Sequence, residues 1–319
     1  MRLTKFFRRP QAATTEISGI FCSTEELINL RHAARSLSGR GRSSRPAYSI
    51  MAGSTLSKFR GRGMDYAESR VYTPGDDIRQ IDWRVTARTG KLHTKLYTEE
   101  RDRPILTLVD FSPSLYFGTR EAFKSVIAAR LAALVGWTAV FNGDRIGAIL
   151  ESPGPDFDLR PRAGRKGIMR LIQALVESSR SFPEQTGESF LKRLLDQGLR
   201  TIRPGSRIFL ISDFFNLYDM FEADLARLGR HNDLILCQVI DPVELDPPPA
   251  GVYPISDGRR RARLNTADPV TSTAWRDKFT TKRKRLEKIA GDLKLPRLEI
   301  VSGDDLAGCM RRGVSLKIS

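Results

Sequence analysis

Hydrophobic and polar residues alternate along this chain in blocks whose spacing predicts secondary structure. From Pro104 onward, short runs made almost entirely of apolar residues, such as ILTLV at 105–109, are typical of strands buried on both faces of a sheet. Longer segments with apolar residues at helical spacing separate these runs. We predict strands at residues 105–109, 146–150, 207–212, 234–240 and 297–301, helices at about 120–141, 164–179, 188–202, 217–229, 269–293 and 304–312, and a hairpin near 253–264. The alternation predicts an α/β domain built on a doubly wound, mainly parallel sheet.

The first 103 residues follow two other patterns. Residues 1–47 begin basic and polar and then predict one amphipathic helix from Ser23 or Thr24 to Leu37, followed by a linker rich in glycine and serine. Residues 48–103 hold short apolar pieces broken by glycines, which predict turns, short strands and one short helix. We therefore expect a small basic N-terminal module at 1–47, a turn-rich module at 48–103 and the α/β domain at 104–319.

Composition narrows the class of protein. Of the 319 residues, 40% are hydrophobic and 28% are charged, which excludes wholesale disorder. We expect no membrane-spanning segment, because the most apolar stretch, 128–141, is short and contains Arg130. The basic N-terminus lacks the apolar region of a secretory signal. The cysteines, Cys22, Cys237 and Cys309, are far apart, which predicts reduced thiols and a cytoplasmic location.

The net charge is unusual for a globular protein. Lysine and arginine outnumber aspartate and glutamate by 53 to 37, which gives +16. Residues 1–103 carry 20 basic and 11 acidic residues, a net +9, and the remaining residues carry the other +7. This excess favours an acidic partner such as nucleic acid, an anionic membrane surface or an acidic protein. The alternative is that dispersed, solvated charges serve solubility alone.

Two of the predicted strands end in acidic residues. Asp110 begins the sequence Asp-Phe-Ser-Pro-Ser, in which Asp110, Ser112 and Ser114 alternate and would lie on one side of an extended loop. Asp213 follows the strand predicted at 207–212. Ligands of open α/β sheets bind beyond the carboxyl ends of strands, and carboxylate and hydroxyl oxygens suit Mg²⁺. The sequence therefore allows either a Mg²⁺ site completed by a partner's acidic group or two hydrogen-bonded structural carboxylates.

This arrangement resembles the von Willebrand factor A domain and its metal-ion-dependent adhesion site over about residues 104–319. The resemblance assigns Asp110, Ser112, Ser114 and Asp213 to metal-ligating positions. The chain departs from the pattern at 157–167, because adhesion sites supply a threonine there and this segment has neither serine nor threonine. The segment carries four cations instead, one of which could stand in the place of a metal ion: Arg160, Arg162, Arg165 and Lys166.

A second resemblance extends from about residue 48 to the C-terminus. The segment 69–103 is similar to the signature of the domain-of-unknown-function family numbered 58, which joins such a segment to a von Willebrand A-type fold. The matching elements are 72–77, 81–83, 87–88, 99–101, the DFSPS sequence, the 143–147 turn and the 241–242 loop. The resemblance implies a MoxR-type AAA+ ATPase as a partner, with which such proteins are thought to remodel or mature other proteins.

The signature segment concentrates charges around one tryptophan. Trp83 is expected to bury its ring, and the arginines and aspartates are close enough in sequence to form ion pairs. The segment is then either an internally paired module or a partner-binding surface. The candidate partner-binding residues are Asp76, Asp77, Arg79, Trp83, Arg84 and Arg88, with Arg162 and Arg165 from the larger domain.

Catalytic motifs do not stand out in the sequence. No nucleophile–base pair is evident, and no phosphate-binding loop of the form GxxxxGK[ST] occurs. We therefore expect a non-enzymatic protein-binding adaptor that works with a MoxR-type AAA+ ATPase, with Mg²⁺ as a candidate cofactor. The alternative is a nucleic-acid or anionic-surface binder driven by the basic charge. A metal-dependent hydrolase using Asp110 and Asp213 is the weaker third hypothesis.

Overall fold

The computed structural model describes six stretches of the chain, residues 19–38, 64–74, 76–99, 104–181, 189–256 and 261–312. They fall into two compact units. Residues 64–99 belong to the smaller unit, and the other described residues belong to the larger one. The basic N-terminal residues, most of the predicted linker, the first part of the 48–103 module and the matched residues 100–101 lie outside the described stretches.

Local sequence signals account for the boundaries of many elements. Ser23 and Glu26 form a capping box at the start of the first helix, and Gly143, in the left-handed conformation, ends the long apolar helix. The described helices are α1 (Thr24–Asn29), α2 (Arg31–Leu37), α3 (Trp83–Thr89), α4 (Lys124–Asn142), α5 (Gly164–Arg180), α6 (Phe190–Thr201), α7 (Phe221–Gly229), α8 (Pro242–Leu245), α9 (Pro269–Asp292) and α10 (Leu306–Arg312). The described strands are β1 (Met64–Val71), β2 (His93–Glu99), β3 (Ile105–Asp110), β4 (Arg145–Glu151), β5 (Phe157–Ala163), β6 (Arg207–Ser212), β7 (Asp233–Ile240), β8 (Val252–Ser256), β9 (Arg261–Asn265) and β10 (Arg297–Val301).

The larger unit is built on a six-stranded sheet with the order β10-β7-β6-β3-β4-β5. The pairs from β10 to β4 are parallel, which confirms the predicted α/β class with a mainly parallel sheet. The edge strand β5 pairs antiparallel to β4, whereas the sequence pattern predicts no strand at 157–163. Its residues alternate between partly buried and exposed positions, as an edge strand allows. Strands β8 and β9 form the hairpin expected near 253–264.

Two apolar layers cover the faces of this sheet. One layer contains α4 and α5, together with Leu27 and Ala34 of the N-terminal helices. Trp137 of α4 donates a hydrogen bond from its indole Nε1 to the carbonyl oxygen of Leu27 at 2.9 Å. The other layer contains α6, α7 and the end of α9. The N-terminal helices therefore form part of the core of the larger unit.

Helix α4 is apolar almost all round because it is enclosed by the protein. Fifteen of its 19 residues are buried. By length and composition it is long and apolar enough to cross a membrane, and it is the one helix in the described stretches that meets this test. Here it packs between the sheet, α2 and α5.

The smaller unit contains an antiparallel pair. Strands β1 and β2 pair from Met64↔Glu99 to Val71↔His93, with an irregularity between Tyr66 and Glu68. A 3₁₀ turn at Ile78–Gln80 and helix α3 connect the strands. The described part of this unit thus consists of one antiparallel strand pair, a 3₁₀ turn and one short helix.

Candidate functional site

Three neighbouring parallel strands of the larger unit end in aspartates. Asp110 is the last residue of β3, while Asp213 and Asp241 immediately follow β6 and β7. Because Val109 pairs with Ile211 in the parallel register, Asp110 and Asp213 reach the same edge of the sheet. The structure thus brings the two carboxylates to one edge, where open α/β sheets bind ligands.

Asp110 is fully engaged by hydrogen bonds. Its Oδ1 accepts from the Ser112 backbone N–H at 2.9 Å, and its Oδ2 accepts from the Ser212 hydroxyl at 2.7 Å and the Ser112 hydroxyl at 3.3 Å. The hydroxyl oxygens of Ser112 and Ser114 lie 3.1 Å apart, so the DFSPS residues do converge. Burial, and then the nearby charge of Asp213, raise the pKa of Asp110 to about 7.

A strained turn orients Asp213. The next residue, Phe214, is buried and has φ of 52°, a left-handed conformation that is uncommon for a bulky side chain. In this turn the Phe215 N–H donates to Asp213 Oδ1 at 3.0 Å, and the Phe214 N–H donates to the Ser212 hydroxyl at 3.0 Å. The turn leaves Asp213 Oδ2 directed to another partner.

That partner is Lys124, the first residue of α4. Its Nζ donates to Asp213 Oδ2 at 2.8 Å and to Glu244 Oε1 at 2.6 Å, with the lysine side chain only 1% exposed. A cation at a helix N-terminus is opposed by the helix dipole, and burial opposes its charge as well. Although burial alone lowers the pKa of Lys124, Asp213 and Glu244 raise it above the ordinary value, so the side chain is charged.

At the end of β7, Asp241 forms hydrogen bonds to a distant part of the chain. Asp241 accepts hydrogen bonds from the backbone N–H and the hydroxyl of Thr119, 122 residues earlier in the chain. Asp241 and Glu244 also form the capping box of α8, which fixes the carboxylate that contacts Lys124. Sequence reasoning missed Lys124, Glu244 and Thr119, although the Asp-Pro-Val-Glu spacing at 241–244 is a recognisable capping signal.

A small cavity opens beside Asp213 and Glu244. Its wall includes Phe215, Phe279 and Lys282. Lys282 donates to the carbonyl oxygen of Phe215 at 2.8 Å and lies over the Phe215 ring. Burial, and then the nearby Lys278, lower the pKa of Lys282. The cavity therefore joins acidic, aromatic and cationic groups in a narrow space.

The residues at this edge do not fit a divalent metal ion. The ammonium of Lys124 already contacts the carboxylate that would face a metal, and each Asp110 and Asp213 oxygen has a protein donor. Within the described stretches, no group of three or more histidine, cysteine, aspartate or glutamate side chains is placed to hold a metal. A dication about 4 Å from this ammonium would be repelled by about 8 kcal/mol at an effective dielectric of 20.

The four cations of 157–167 do not occupy the metal position either. Arg162 pairs with Ile146 at the start of β4, because β5 is antiparallel, whereas Asp110 pairs with Glu151 at the end of β4. Arg160, Arg162, Arg165 and Lys166 are all at least partly exposed. The expectation that one of them replaces the metal ion is wrong, and a partner-binding role of Arg162 and Arg165 stays a prediction. The cation that contacts Asp213 is Lys124.

In the smaller unit, Asp76, Asp77 and Asp82 accept hydrogen bonds from the backbone. Asp76 accepts from the Thr73 N–H at 3.0 Å and from Arg70 at 2.6 Å, and the Thr73 contacts followed by Arg70 lower its pKa. Asp77 caps the 3₁₀ turn, and Asp82 caps α3 while accepting from the Ser69 hydroxyl at 2.7 Å. These carboxylates are used internally.

Arg70 forms an ion pair with Asp76, but the three arginines for which the sequence suggests ion pairs form none with the described residues. Among the described residues, no ion pair joins Arg79, Arg84 or Arg88 to an acidic side chain, and all three are exposed. Trp83 is 67% exposed, so the expectation that it buries its ring is wrong. Ile78 is equally exposed. Trp83, which lies between Arg79 and Arg84 in the sequence, is thus exposed together with these arginines.

Comparisons with known proteins bear on this segment and on the larger unit. A family model described as "Protein of unknown function DUF58" matches residues 68–289. Uncharacterized proteins of Mycobacterium bovis and Mycobacterium tuberculosis are each 29% identical over 231 residues, which cover 72% of this chain and 71% of theirs. Among solved structures, BatB from Bacteroides thetaiotaomicron has 16% identity and a TM-score of 0.40 over 66% of this chain and 96% of that chain. An aerotolerance-related membrane protein from Bacteroides fragilis has 13% identity and a TM-score of 0.40 over the same shares.

Proposed function

This chain belongs to the DUF58 family, and we propose that it is a non-enzymatic protein-binding adaptor. Its docking surface is the exposed face around α3, which we call the Trp83 surface and define as Ile78, Arg79, Trp83, Arg84 and Arg88. The observation that carries the proposal is a tryptophan with 67% exposure beside arginines that make no ion pair with a described residue. The surface lies within the segment that matches the family model.

Residue chemistry supports protein binding at this surface. Tryptophan and arginine are the residues that most often dominate protein–protein binding energy, because they bury large areas and donate several hydrogen bonds. Arg84 and Arg88 are four residues apart on α3 and therefore lie on one side of the helix. The aspartate nearest to them, Asp82, is buried and bonded to Ser69, so it does not neutralise the surface. The surface fits an acidic segment with an apolar side chain that covers Trp83.

The proposed partner is a MoxR-type AAA+ ATPase, as the family resemblance implies, and the proposed setting is the cytoplasm. Binding rather than catalysis is supported by Cys237 and His93. Cys237 is buried, and burial raises its thiol pKa far above the range of a nucleophile. His93 contacts Lys91 and Thr89, neither of which forms a catalytic pair with it.

The experiment is a titration of the purified protein against a purified MoxR-type ATPase from the same genome, monitored by calorimetry. We expect Trp83→Ala to weaken binding by about tenfold or more, the effect of about 1.4 kcal/mol at a hot spot. The double charge reversal Arg84→Glu with Arg88→Glu is expected to abolish binding. Met220→Ala and Arg170→Glu, which change exposed residues of the larger unit, serve as controls and should leave it unchanged. Equal affinity of the Trp83 and control variants would refute the proposal.

The net charge of +16 favours one other function, binding to nucleic acid. Tryptophan and arginine also serve single-stranded nucleic acid, through stacking and phosphate contacts. A titration with single and double strands at rising salt separates the two functions. An affinity that falls steeply with salt and depends on Trp83 would favour nucleic acid over a protein partner.

We also propose that the larger unit is a von Willebrand factor A-like domain. The support is the position of DFSPS after the central strand β3 and of Asp213 after its parallel neighbour β6, with an antiparallel strand at one edge. An experimental structure that shows a different strand order would contradict this assignment.

A further inference from the structure

The carboxyl edge of β3 and β6 carries a lysine where a cation-dependent site would carry a metal ion. We propose that the ammonium of Lys124 is a built-in counter-ion that permanently takes the place of a divalent cation between Asp213, at the end of β6, and Glu244 of α8. The edge is then metal-independent. This inference concerns the larger unit and goes beyond the proposed docking function of the Trp83 surface.

The contacts of Lys124 are those of a charge held in a fixed position. Its Nζ bridges Asp213 and Glu244 at 2.8 and 2.6 Å, and the three side chains are exposed by 1, 3 and 10%. Two carboxylates that follow different strands are thereby joined by one cation, which is what a bound metal would do. Burial removes the water around the Lys124 ammonium, which is unfavourable for a charge. The contacts with Asp213 and Glu244 compensate for this loss.

Two cations face the carboxylates at this edge. Lys124 contacts Asp213 and Glu244, and the charges of both carboxylates also act on Lys282, whose side chain lines the cavity beside them. A divalent cation at Asp213 would be repelled by both ammonium groups.

The hydrogen bonds made by the oxygen atoms at this edge also argue against a bound metal ion. Asp110 accepts from two serines, and Asp213 accepts from the Phe215 N–H and from Lys124. The Ser112 hydroxyl is itself held by Asp110 and Ser114. A metal ion that needs six oxygens, as Mg²⁺ and Mn²⁺ do, would have to break several of these bonds.

The inference predicts that removal of the lysine creates a metal site. In Lys124→Ala, Asp213 and Glu244 would face a space left by the ammonium, with Asp110 nearby. Mn²⁺ and Mg²⁺ are the probes, because both bind carboxylate oxygens and Mn²⁺ binding is read directly by electron paramagnetic resonance. Lys124→Gln keeps hydrogen-bond donors toward both carboxylates but removes the charge, and Lys192→Ala removes an exposed lysine as the matched control.

The experiment measures Mn²⁺ affinity and the rise of melting temperature with Mg²⁺ for the wild-type protein and these three variants. We expect no specific binding and no rise for the wild-type protein or Lys192→Ala. Lys124→Ala should bind Mn²⁺ at least about tenfold more tightly than the wild-type protein, and its melting temperature should rise with metal. Variants that fold poorly are refolded with Mn²⁺ present, and recovery of folded Lys124→Ala or Lys124→Gln only with metal counts in favour.

Two results would overturn the inference. One is wild-type protein that binds Mn²⁺ and gains thermal stability from it. The other is failure of both Lys124 variants to gain metal binding or metal-dependent folding. Neither result depends on a partner, so failure here is distinguishable from failure of the Trp83 surface to bind an ATPase.

Discussion

Lys124 and Asp213 form a buried ion pair of 2.8 Å that joins the first turn of α4 to the end of β6. The lysine occupies a position that disfavours cations, at the N-terminus of a helix enclosed by the protein. The two carboxylates that it contacts account for its presence there. Each partner is needed because the other alone would be a buried charge without a counter-ion.

We predict that Lys124→Met lowers the free energy of unfolding by about 3–5 kcal/mol, because it leaves Asp213 and Glu244 facing each other in a buried space. The double variant Lys124→Met with Asp213→Asn should lose less than the sum of the two single changes. Urea denaturation measures these values. Lys192→Met removes the exposed pair with Asp196 and should cost less than about 0.5 kcal/mol. A cost as small for Lys124→Met would contradict the buried pair.

We predict that the stability of the protein depends on pH through the carboxyl group of Glu151. Burial raises its pKa from 4.5 to about 7, and the hydrogen bond from Arg193 offsets only part of this rise. Because the folded pKa lies above the unfolded one, Glu151 favours folding most below about pH 4.5, and this contribution is lost as pH rises to about 7. The stability of the wild-type protein relative to Glu151→Gln should fall by at most about 3 kcal/mol over this range. Denaturation curves at several pH values test this, with the exposed Glu222→Gln as a control that should show no such trend.

The close contacts around Gly147 lead to a prediction about how β5 is held against β4. A Cβ atom at this position would lie 2.6 Å from the carbonyl oxygen of Leu159 and 3.0 Å from the backbone nitrogen of Pro161, both in β5. We expect Gly147→Ala to lower the free energy of unfolding by about 1–3 kcal/mol, because these contacts are with backbone that must move. Gly291→Ala, in an open position of α9, should instead stabilise by about 0.5–1 kcal/mol. Unchanged stability of Gly147→Ala would show that β5 yields without cost.

We predict that Trp83 contributes to the binding of a partner but not to the stability of the fold. Because its side chain is 67% exposed, Trp83→Ala should change the free energy of unfolding by less than about 0.5 kcal/mol. Trp137→Ala, at 8% exposure in the core, should cost about 3–5 kcal/mol. Chemical denaturation compares the two. A large loss of stability in Trp83→Ala would show that the ring packs in solution and would remove the case for a free docking surface.

Strand periodicity explains why much of the larger unit could be predicted from the sequence. Buried parallel strands have a simple apolar signature, and their carboxyl ends meet at one edge, so the proximity of Asp110 and Asp213 could be foreseen. Strand β5 could not be recognised in the same way. It contains Pro161 and alternates partly buried with exposed positions, as an edge strand does, and this weak pattern resembles a polar loop.

Side chains whose environment depends on distant residues were predicted less well. Lys124 stands next to a long apolar run, and its two partners lie 89 and 120 residues further along the chain. Its one local signal is that a helix enclosed on all sides offers no solvated face to a lysine. Trp83 is expected from the sequence to bury its ring, but no described segment covers it. Both features depend on tertiary structure: the pairing of Lys124 with distant residues, and the lack of a described neighbour that covers Trp83. The spacing of residues along the sequence does not encode either of them.

The long sequence separation within the Lys124 cluster also sets an order of events during folding. A chain that has been synthesised only through α4 holds a lysine whose ammonium remains in water, because Asp213 and Glu244 have not yet been made. Closure of this edge over the lysine requires β6, β7 and the turn after each. The charged cluster therefore cannot form before residue 244 has been synthesised.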